Sequence, residues 1–256
     1  MDTGGQGGGA DAPRPEAMGS VSLEGRTVVL VGGGGITRGI ARRVVAAGGE
    51  VVLAGRDPAK IAPVSAELGP KATSARVDLG DEESVRTLAD QVGRVDHLVS
   101  LASAPANGPV AGLDRAAVVA AFDAKVIGPI LLAKHFATRF REGGSLLLFS
   151  GLAAWRPAPG RVVMATANGA VDFLARALAV ELAPVRVNAL SPGVVDSGSW
   201  DALGAARETL FARTAETNPA RRIGYPDDIA QAALLAMTNP FLTGTTLHVD
   251  GGGRLA

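Results

Sequence analysis

Short apolar runs alternate along the chain with longer segments of helical periodicity. Residues 27–31 (TVVLV) and 51–54 (VVLA) are almost continuously apolar, which is typical of strands buried on both faces of a parallel sheet. Five later segments predict further strands: 75–79, 96–101, 145–149, 185–190 and 245–249. Helices are predicted at about 36–50, from 81 onward, over 113–140 and 163–182, and after Pro226, with a mobile or helical insertion at 199–222. This alternation predicts an α/β fold.

Four glycines, Gly32 to Gly35, connect the first predicted strand to the first helix. A strand, a glycine loop, a helix and a second strand form a βαβ unit, whose loop can place backbone N–H groups against a pyrophosphate. A tight turn without a ligand is the alternative, and no literal G-x-G-x-x-G occurs here. The pattern predicts a single Rossmann-like doubly wound domain, with a mostly or fully parallel sheet of about seven strands and helices on both faces.

Gly55 and Arg56 close the second strand, where the adenosine ribose of a bound dinucleotide would lie. An acidic residue there would accept hydrogen bonds from both ribose hydroxyls. Gly55 instead leaves room, and the forked Arg56 guanidinium suits a 2′-phosphate. The position favours NADP(H) over NAD(H) as the cofactor, and a solvated surface arginine is the alternative.

Composition limits the partners and the chemistry. Lys plus Arg and Asp plus Glu both number 25, so the zero formal net charge argues against nucleic acid or an anionic membrane as the main partner. The chain has no cysteine and three widely separated histidines, which argues against disulfides, thiol catalysis and a metal site. No apolar run approaches the roughly 18 residues of a membrane span. We expect a cytoplasmic domain over 21–256, preceded by a flexible Gly/Pro-rich tail at 1–20.

Four motifs make residues 21–256 resemble the short-chain dehydrogenase/reductase family: RVNALSPGVVDS (186–197), TGTTLHVDGG (243–252), RRIGYPDDIA (221–230) and VDL (77–79). The resemblance implies a nicotinamide cofactor, a small-molecule substrate and a homodimer or homotetramer. It also implies that Asp78 and Leu79 hold the adenine of the cofactor and that Ala102 lies beside the adenosine ribose. The residues implied at the nicotinamide are Pro192, Gly193, Val195 and Ser197.

The glycine loop departs from the family pattern T-G-x-x-x-G-x-G. The chain has GGGGITRG here, and the distance from the first strand to the second is two residues short. Counted from the strand, Gly33 and Gly39 match the pattern; counted from the helix, Gly35 and Ile36 match. Both registers stay open, and the candidates for pyrophosphate contact are Gly32, Gly33, Gly35 and Ile36.

The family's catalytic set of Asn, Ser, Tyr and Lys is absent. The Asn position is Lys125, and the Ser position is Gly151, directly after Ser150. The Y-x-x-x-K motif falls on Met164 and Asn168, four residues apart on one helix face. A thioether cannot transfer a proton and an amide does not titrate, so the usual Tyr–Lys proton route is excluded.

The family has its asparagine on the earlier of two helices and its lysine on the later one. In this chain the two residue types are exchanged, with Lys125 on the earlier helix and Asn168 on the later. One hypothesis is that the Lys125 ammonium enters the site from the other side while Asn168 hydrogen-bonds the nicotinamide ribose. Ser150 is a third candidate for a catalytic role. The alternative is independent drift of these positions after catalysis was lost.

The sequence favours an NADP(H)-dependent oxidoreductase that acts on a small organic carbonyl, enone, imine or quinone by a non-standard proton route. Loss of a general acid typically costs ~10²–10⁴ in rate, so an acceptor that needs little protonation would be reduced more readily than a plain ketone. A non-redox enzyme on the same frame, such as an isomerase, lyase or cyclase, is one alternative. A catalytically inactive cofactor-binding protein is the other.

Overall fold

The computed structural model describes residues 21–256, and the tail predicted at 1–20 lies outside the described residues. One seven-stranded sheet runs through this part of the chain, in the order β3-β2-β1-β4-β5-β6-β7. All neighbouring strands are parallel. The strands are β1 (Thr27–Val31), β2 (Glu50–Gly55), β3 (Ala72–Arg76), β4 (Val95–Ser100), β5 (Phe140–Phe149), β6 (Arg186–Pro192) and β7 (Thr246–Val249).

Helices cover both faces of this sheet, which confirms the predicted doubly wound fold. On one face Ile40, Ile61 and Ile229 are buried in one apolar cluster, and on the other Leu88 and Phe136 belong to a second cluster. Within residues 21–256 the α-helices are α1 (Gly35–Ala46), α2 (Pro58–Leu68), α3 (Glu82–Val92), α4 (Arg115–Phe122), α5 (Gly128–Phe136), α6 (Val162–Glu181), α7 (Ala206–Thr217) and α8 (Pro226–Thr238).

The composition of β1 follows from these two apolar layers. Val28 and Leu30 point into the cluster that contains α1, α2 and α8, while Val29 and Val31 point into the cluster that contains α3, α5 and α6. Each of the four side chains is at most 1% exposed, and full burial of such a side chain contributes roughly 1.5–3 kcal/mol. A polar residue at any of these positions would face a core, which explains the unbroken apolar run.

The strand order reverses where β1 lies beside β4. β2 and β3 extend the sheet in one direction from β1, and β4 to β7 extend it in the other. In open parallel sheets, ligands bind in the crevice outside the carboxyl ends of the strands at such a point. The glycine loop that follows β1 lies at this crevice.

Two predicted boundaries were wrong. β3 spans 72–76 rather than 75–79, because this edge strand is largely exposed and carries polar residues, so an apolar pattern does not mark it. The helix predicted over 113–140 is divided into α4, a π-helical turn (Asp123–Ile127) and α5, and β5 already begins at Phe140. The Gly128 N–H donates to Asp123 O, five residues back, and Pro129 has no N–H to continue the regular ladder.

Two helical stretches among residues 21–256 are long and apolar enough, by composition alone, to cross a membrane. They are Arg115–Phe136 and Val162–Glu181. Both pack on the sheet, where Leu132, Phe136 and Val171 are at most 1% exposed. Their buried apolar residues therefore belong to the core of the domain.

Candidate functional site

Only three residues, Gly32 to Gly34, separate the end of β1 from the start of α1. Gly32 has φ +139°, a conformation that residues with a side chain rarely adopt. A Cβ on Gly32 would lie 3.1 Å from the backbone of Leu101, just after β4. Gly32 is therefore required by the tight turn and by the close approach of Leu101, which follows the neighbouring strand β4.

The N-terminus of α1 is covered by the chain segment that follows β6. Helix α1 begins at Gly35, and the Gly35 N–H donates to Ser197 O at 3.2 Å. A Cβ on Gly35 would overlap the Ser197 carbonyl oxygen, so only glycine allows this contact. One of the N–H groups that would otherwise face an anion at the helix start is thus already bonded.

A cavity of ≈ 500 Å³ lies beside the glycine loop, within the size range of small-molecule sites. Leu53, Ile61 and Val64 form its apolar part. Within residues 21–256, and apart from the chain neighbours, no atom lies within 4 Å of a Cβ on Gly34, and a Cβ on Gly33 would touch only Ile61. The remaining lining residues are Gly32, Gly35, Thr37, Arg38, Lys60, Ser197, Gly198 and Ser199.

Two cations, Arg38 and Lys60, line this cavity. Arg38 is 2.9 Å from Glu67, a carboxylate that it shares with Arg42. The Lys60 ammonium is 3.8 Å from Asp57, and its side chain is 83% exposed. Lys60 is therefore only weakly paired, and both cations can turn toward an anionic ligand.

Of the predicted cofactor residues, Gly32, Gly33, Gly35 and Ser197 line the cavity. The other eight lie outside its lining: Ile36, Arg56, Asp78, Leu79, Ala102, Pro192, Gly193 and Val195. Sequence reasoning missed the α2 residues Lys60, Ile61 and Val64. A signal was available in Asp57 and Pro58, which mark a helix start directly after β2.

Lys125 lies in the π-helical turn, and its side chain is buried, with 6% exposed. Its Nζ donates to the carbonyl oxygen of Phe149, the last residue of β5, at 2.9 Å. Burial lowers the pKa of the Lys125 ammonium to about 8. The cation thus ties helix to strand in a dry environment, and it does not line the cavity.

Ser150, Gly151 and Asn168 pack together directly after β5. The Ser150 hydroxyl donates to the Asn168 backbone carbonyl at 2.8 Å, so this proton is engaged in a structural bond. A Cβ on Gly151 would lie only 2.9 Å from Asn168 Nδ2, so any side chain at 151 would displace the Asn168 amide. The glycine at the family's Ser position and the asparagine at its Lys position are thus sterically coupled.

The Asn168 side chain itself is 5% exposed. Its Oδ1 has no hydrogen-bond partner among residues 21–256. A buried carbonyl oxygen without a partner is costly, so this oxygen is a candidate acceptor for a ligand hydroxyl.

Met164, at the family's Tyr position, is packed in an apolar cluster. Its side chain is 8% exposed and lies with Ala106, Ala121 and Val163. The partly buried neighbours of this cluster are also apolar: Leu113, Ala117, Val118, Phe122 and Ala153. The cluster supplies no group that could donate a proton.

Known proteins are similar to this chain in sequence and in fold. A family model described as enoyl-(acyl carrier protein) reductase matches residues 32–253. The short-chain dehydrogenase/reductase ucsE of Acremonium sp is 31% identical, over 91% of this chain and 97% of the relative. The crystal structure of a small-chain dehydrogenase in complex with NADPH is similar at TM-score 0.76 and 30% identity, over 90% of this chain and 99% of the other. The MalC reductase/Diels-Alderase from Malbranchea aurantiaca is similar at TM-score 0.84 and 28% identity, over 91% and 98%.

Proposed function

Because the chain belongs to the short-chain dehydrogenase/reductase family, we propose that it is an NADP(H)-dependent oxidoreductase with a non-standard proton route. Similar proteins are named dehydrogenases or reductases, and one of them is in complex with NADPH. The proposed substrate is a small organic iminium, quinone, activated enone or other carbonyl. The observation that carries the proposal is Met164, which replaces the tyrosine acid by a buried thioether in a chain that keeps a cavity beside its glycine loop.

The residues around the cavity fit a phosphate-bearing nucleotide. Gly33 and Gly34 present backbone without side chains to open space, and Arg38 and Lys60 provide positive charge. Arg56 directly follows β2 and is proposed to bind the 2′-phosphate. When bound, the reduced cofactor supplies a hydride to the substrate. Asp78, Leu79, Ala102, Pro192, Gly193, Val195 and Ile36 stay predicted cofactor contacts.

At the reacting centre, the residues of the protein are then proposed to orient the cofactor and the substrate without providing acid catalysis. Asn168 Oδ1 is proposed to accept a hydrogen bond from a nicotinamide-ribose hydroxyl, since it is buried and unpartnered among residues 21–256. Lys125 holds the end of β5 through Phe149 O. Its charge is proposed to raise the positive potential of the site rather than to deliver a proton.

Because a side chain at position 151 would displace the Asn168 amide, the residues at these two positions depend on each other. This dependence supports a functional exchange of the amide and the lysine over independent drift of these positions after catalysis was lost.

A non-redox reaction on the same frame is the second candidate. It is favoured by the apolar surroundings of Met164 and by a structural neighbour that is described as both a reductase and a Diels-Alderase. A cyclisation or isomerisation needs a pocket of the right shape rather than a proton donor, so apolar residues such as those around Met164 would suit it. A cofactor-binding protein without turnover would share these features, and turnover assays separate it from the two enzymes.

Assembly and location follow the family expectation. Short-chain dehydrogenases/reductases are typically oligomeric, and we propose a homodimer or homotetramer in the cytoplasm, without nucleic acid or membrane as a partner. Phe173 and Val180 of α6 are 70% and 81% exposed, and such apolar side chains suit an interface between helices of two copies.

Arg56→Ala tests the proposed cofactor preference. We expect NADPH to bind about tenfold more weakly, because one charge-assisted phosphate contact is lost, while NADH affinity stays unchanged. Nicotinamide fluorescence measures both dissociation constants. Arg94→Ala is the control, since Arg94 is also an exposed surface arginine and has no proposed role. An Arg56→Ala protein that keeps the wild-type ratio of the two affinities would refute the 2′-phosphate assignment.

A further inference from the structure

Three buried side-chain atoms in this domain have no hydrogen-bond partner among residues 21–256 and belong to segments that pack on one another. They are Asn168 Oδ1 on α6, Ser191 Oγ on β6 and His248 Nδ1 on β7. Ser191 is 1% exposed and Asn168 is 5% exposed. Native proteins leave few buried polar atoms without a partner, because each one is costly.

Ser191 and His248 lie side by side. They are paired residues of the neighbouring parallel strands β6 and β7, and such partners lie ~4.8 Å apart on the same face of a sheet. Ala189, two residues before Ser191, is buried in the cluster that contains residues of α6. Thr246, two residues before His248, donates to Asp172 of α6 at 2.6 Å. Because side chains alternate along a strand, Ser191 and His248 both face α6.

Asn168 lies over this pair. It precedes Asp172 by one turn of α6, which is ~5.4 Å toward the start of the helix. A helix that connects two parallel strands runs opposite to them, so its start lies at their carboxyl ends. Since Asp172 reaches Thr246, a residue one turn earlier lies at the level two strand residues further on, where Ser191 and His248 are.

Ser150 supports this placement of Asn168. Its hydroxyl donates to the Asn168 backbone carbonyl at 2.8 Å. Its N–H donates to Leu190 O at 2.9 Å, so Ser150 lies beside Ser191, the next residue of β6. The three unpartnered atoms thus converge on one space between the start of α6 and the ends of the strands.

The His248 ring is held in its orientation. Trp155 packs against it in a T-shaped arrangement, with 4.6 Å between the ring centres, and such a contact favours one ring position. Burial, followed by the charge of Arg254, lowers the pKa of His248 below 6.5. The imidazole is therefore neutral at pH 7.5, and one of its nitrogens is a hydrogen-bond acceptor.

We propose that Ser191 and His248 are positioning residues for Asn168, and that the three side chains together bind one buried water molecule. The water accepts from the Ser191 hydroxyl and donates to His248 Nδ1 and to Asn168 Oδ1. Three hydrogen bonds are typical of a buried water. The water fixes the Asn168 amide, and the second lone pair of Oδ1 stays available to the nicotinamide ribose. This inference rests on the proposed NADP(H) function, and it adds that two residues behind Asn168 determine how well the cofactor is held.

The functional test uses the full chain and its Ser191→Ala variant. We expect NADPH, titrated by fluorescence, to bind about two- to tenfold more weakly to the variant, because the amide loses the water that orders it. In an Asn168→Ala background the same substitution should change NADPH affinity no further, since Ser191 acts through Asn168. Ser145→Ala is the matched control: Ser145 is also a buried strand serine, but its partner is His97, and NADPH affinity should stay unchanged.

His248 gives a second and independent pair of variants. His248→Phe keeps a ring against Trp155 but removes Nδ1, so it should weaken NADPH binding as Ser191→Ala does, and it serves if Ser191→Ala does not fold. His248→Asn places an amide atom near the position of Nδ1 and should restore most of the affinity. A crystal structure tests the site directly, and it should show a water within hydrogen-bond distance of all three atoms.

An unchanged NADPH affinity of Ser191→Ala, or an equal loss with and without Asn168, would overturn the inference while the NADP(H) function stands. Electron density without a water between the three atoms would overturn it as well. Failure of the wild type to bind NADPH has a different meaning, because it removes the proposed function and the positioning role, whereas the crystal structure tests the water site alone.

Discussion

A permanently charged cyclic iminium and the ketone of the same ring should be accelerated by this protein to about the same extent, each relative to its own reaction with NADPH in buffer, whereas a site with a positioned general acid would accelerate the ketone ~10²–10⁴-fold more. A ketone oxygen must gain a proton as the hydride arrives, and a positioned general acid supplies typically ~10²–10⁴ of the rate. Met164 has no proton to give, and its neighbours are apolar. An iminium is neutralised by hydride alone, so it loses nothing from the missing acid.

The comparison must remove the intrinsic reactivity of the two acceptors. Each rate is therefore divided by the rate of the same acceptor with NADPH in buffer, and consumption of NADPH is followed by absorbance. An acceleration of the ketone at least about 100-fold greater than that of the iminium would contradict the account, because it would require a positioned proton donor near Met164. Binding of NADPH without oxidation by any acceptor would favour the non-redox or inactive alternative.

Raising the pH from 7 to 10 should increase the free energy of unfolding through Lys125 by about 2–3 kcal/mol. Burial lowers the pKa of this ammonium from 10.5 to about 8. Below pH 8 both the folded and the unfolded chain carry the proton, and the full cost of the buried charge is present. Between about 8 and 10.5 the folded chain has released the proton that the unfolded chain still binds, so stability rises with pH.

Urea unfolding of the wild type and of Lys125→Met at several pH values isolates this contribution. The difference in stability between the two proteins should change with pH in the stated direction, whatever the other titrating groups do. Lys134→Met is the matched control, because Lys134 is exposed and pairs with Glu82. A constant difference between wild type and Lys125→Met from pH 7 to 10 would show that the Lys125 amine is solvated.

The fold could be predicted wherever burial alone decides the residue type. β1 and β2 are apolar because both faces pack against helices, and their positions were predicted closely. The edge strand β3 was misplaced since its exposed residues carry no such pattern. The π-helical turn could not be foreseen either, because it depends on how Gly128 and Pro129 interrupt a ladder that otherwise has helical periodicity.

The candidate site was predictable as a list of residue types but not as a set of contacts. The exchange of amide and lysine was visible in Lys125 and Asn168. Their contacts appear only when distant segments pack. Lys125 donates to Phe149 O, and the Asn168 amide lies against Gly151. The contact between Gly35 and Ser197 likewise joins segments far apart in the chain, and it has no local signature.

The central claim is that this chain keeps a cofactor pocket although its proton-transfer groups are gone. The most direct measurement is a fluorescence titration of the wild-type protein with NADPH, with NADH in a parallel titration. The account predicts saturable binding of NADPH, about tenfold tighter than that of NADH. No binding of NADPH up to millimolar concentration would contradict it.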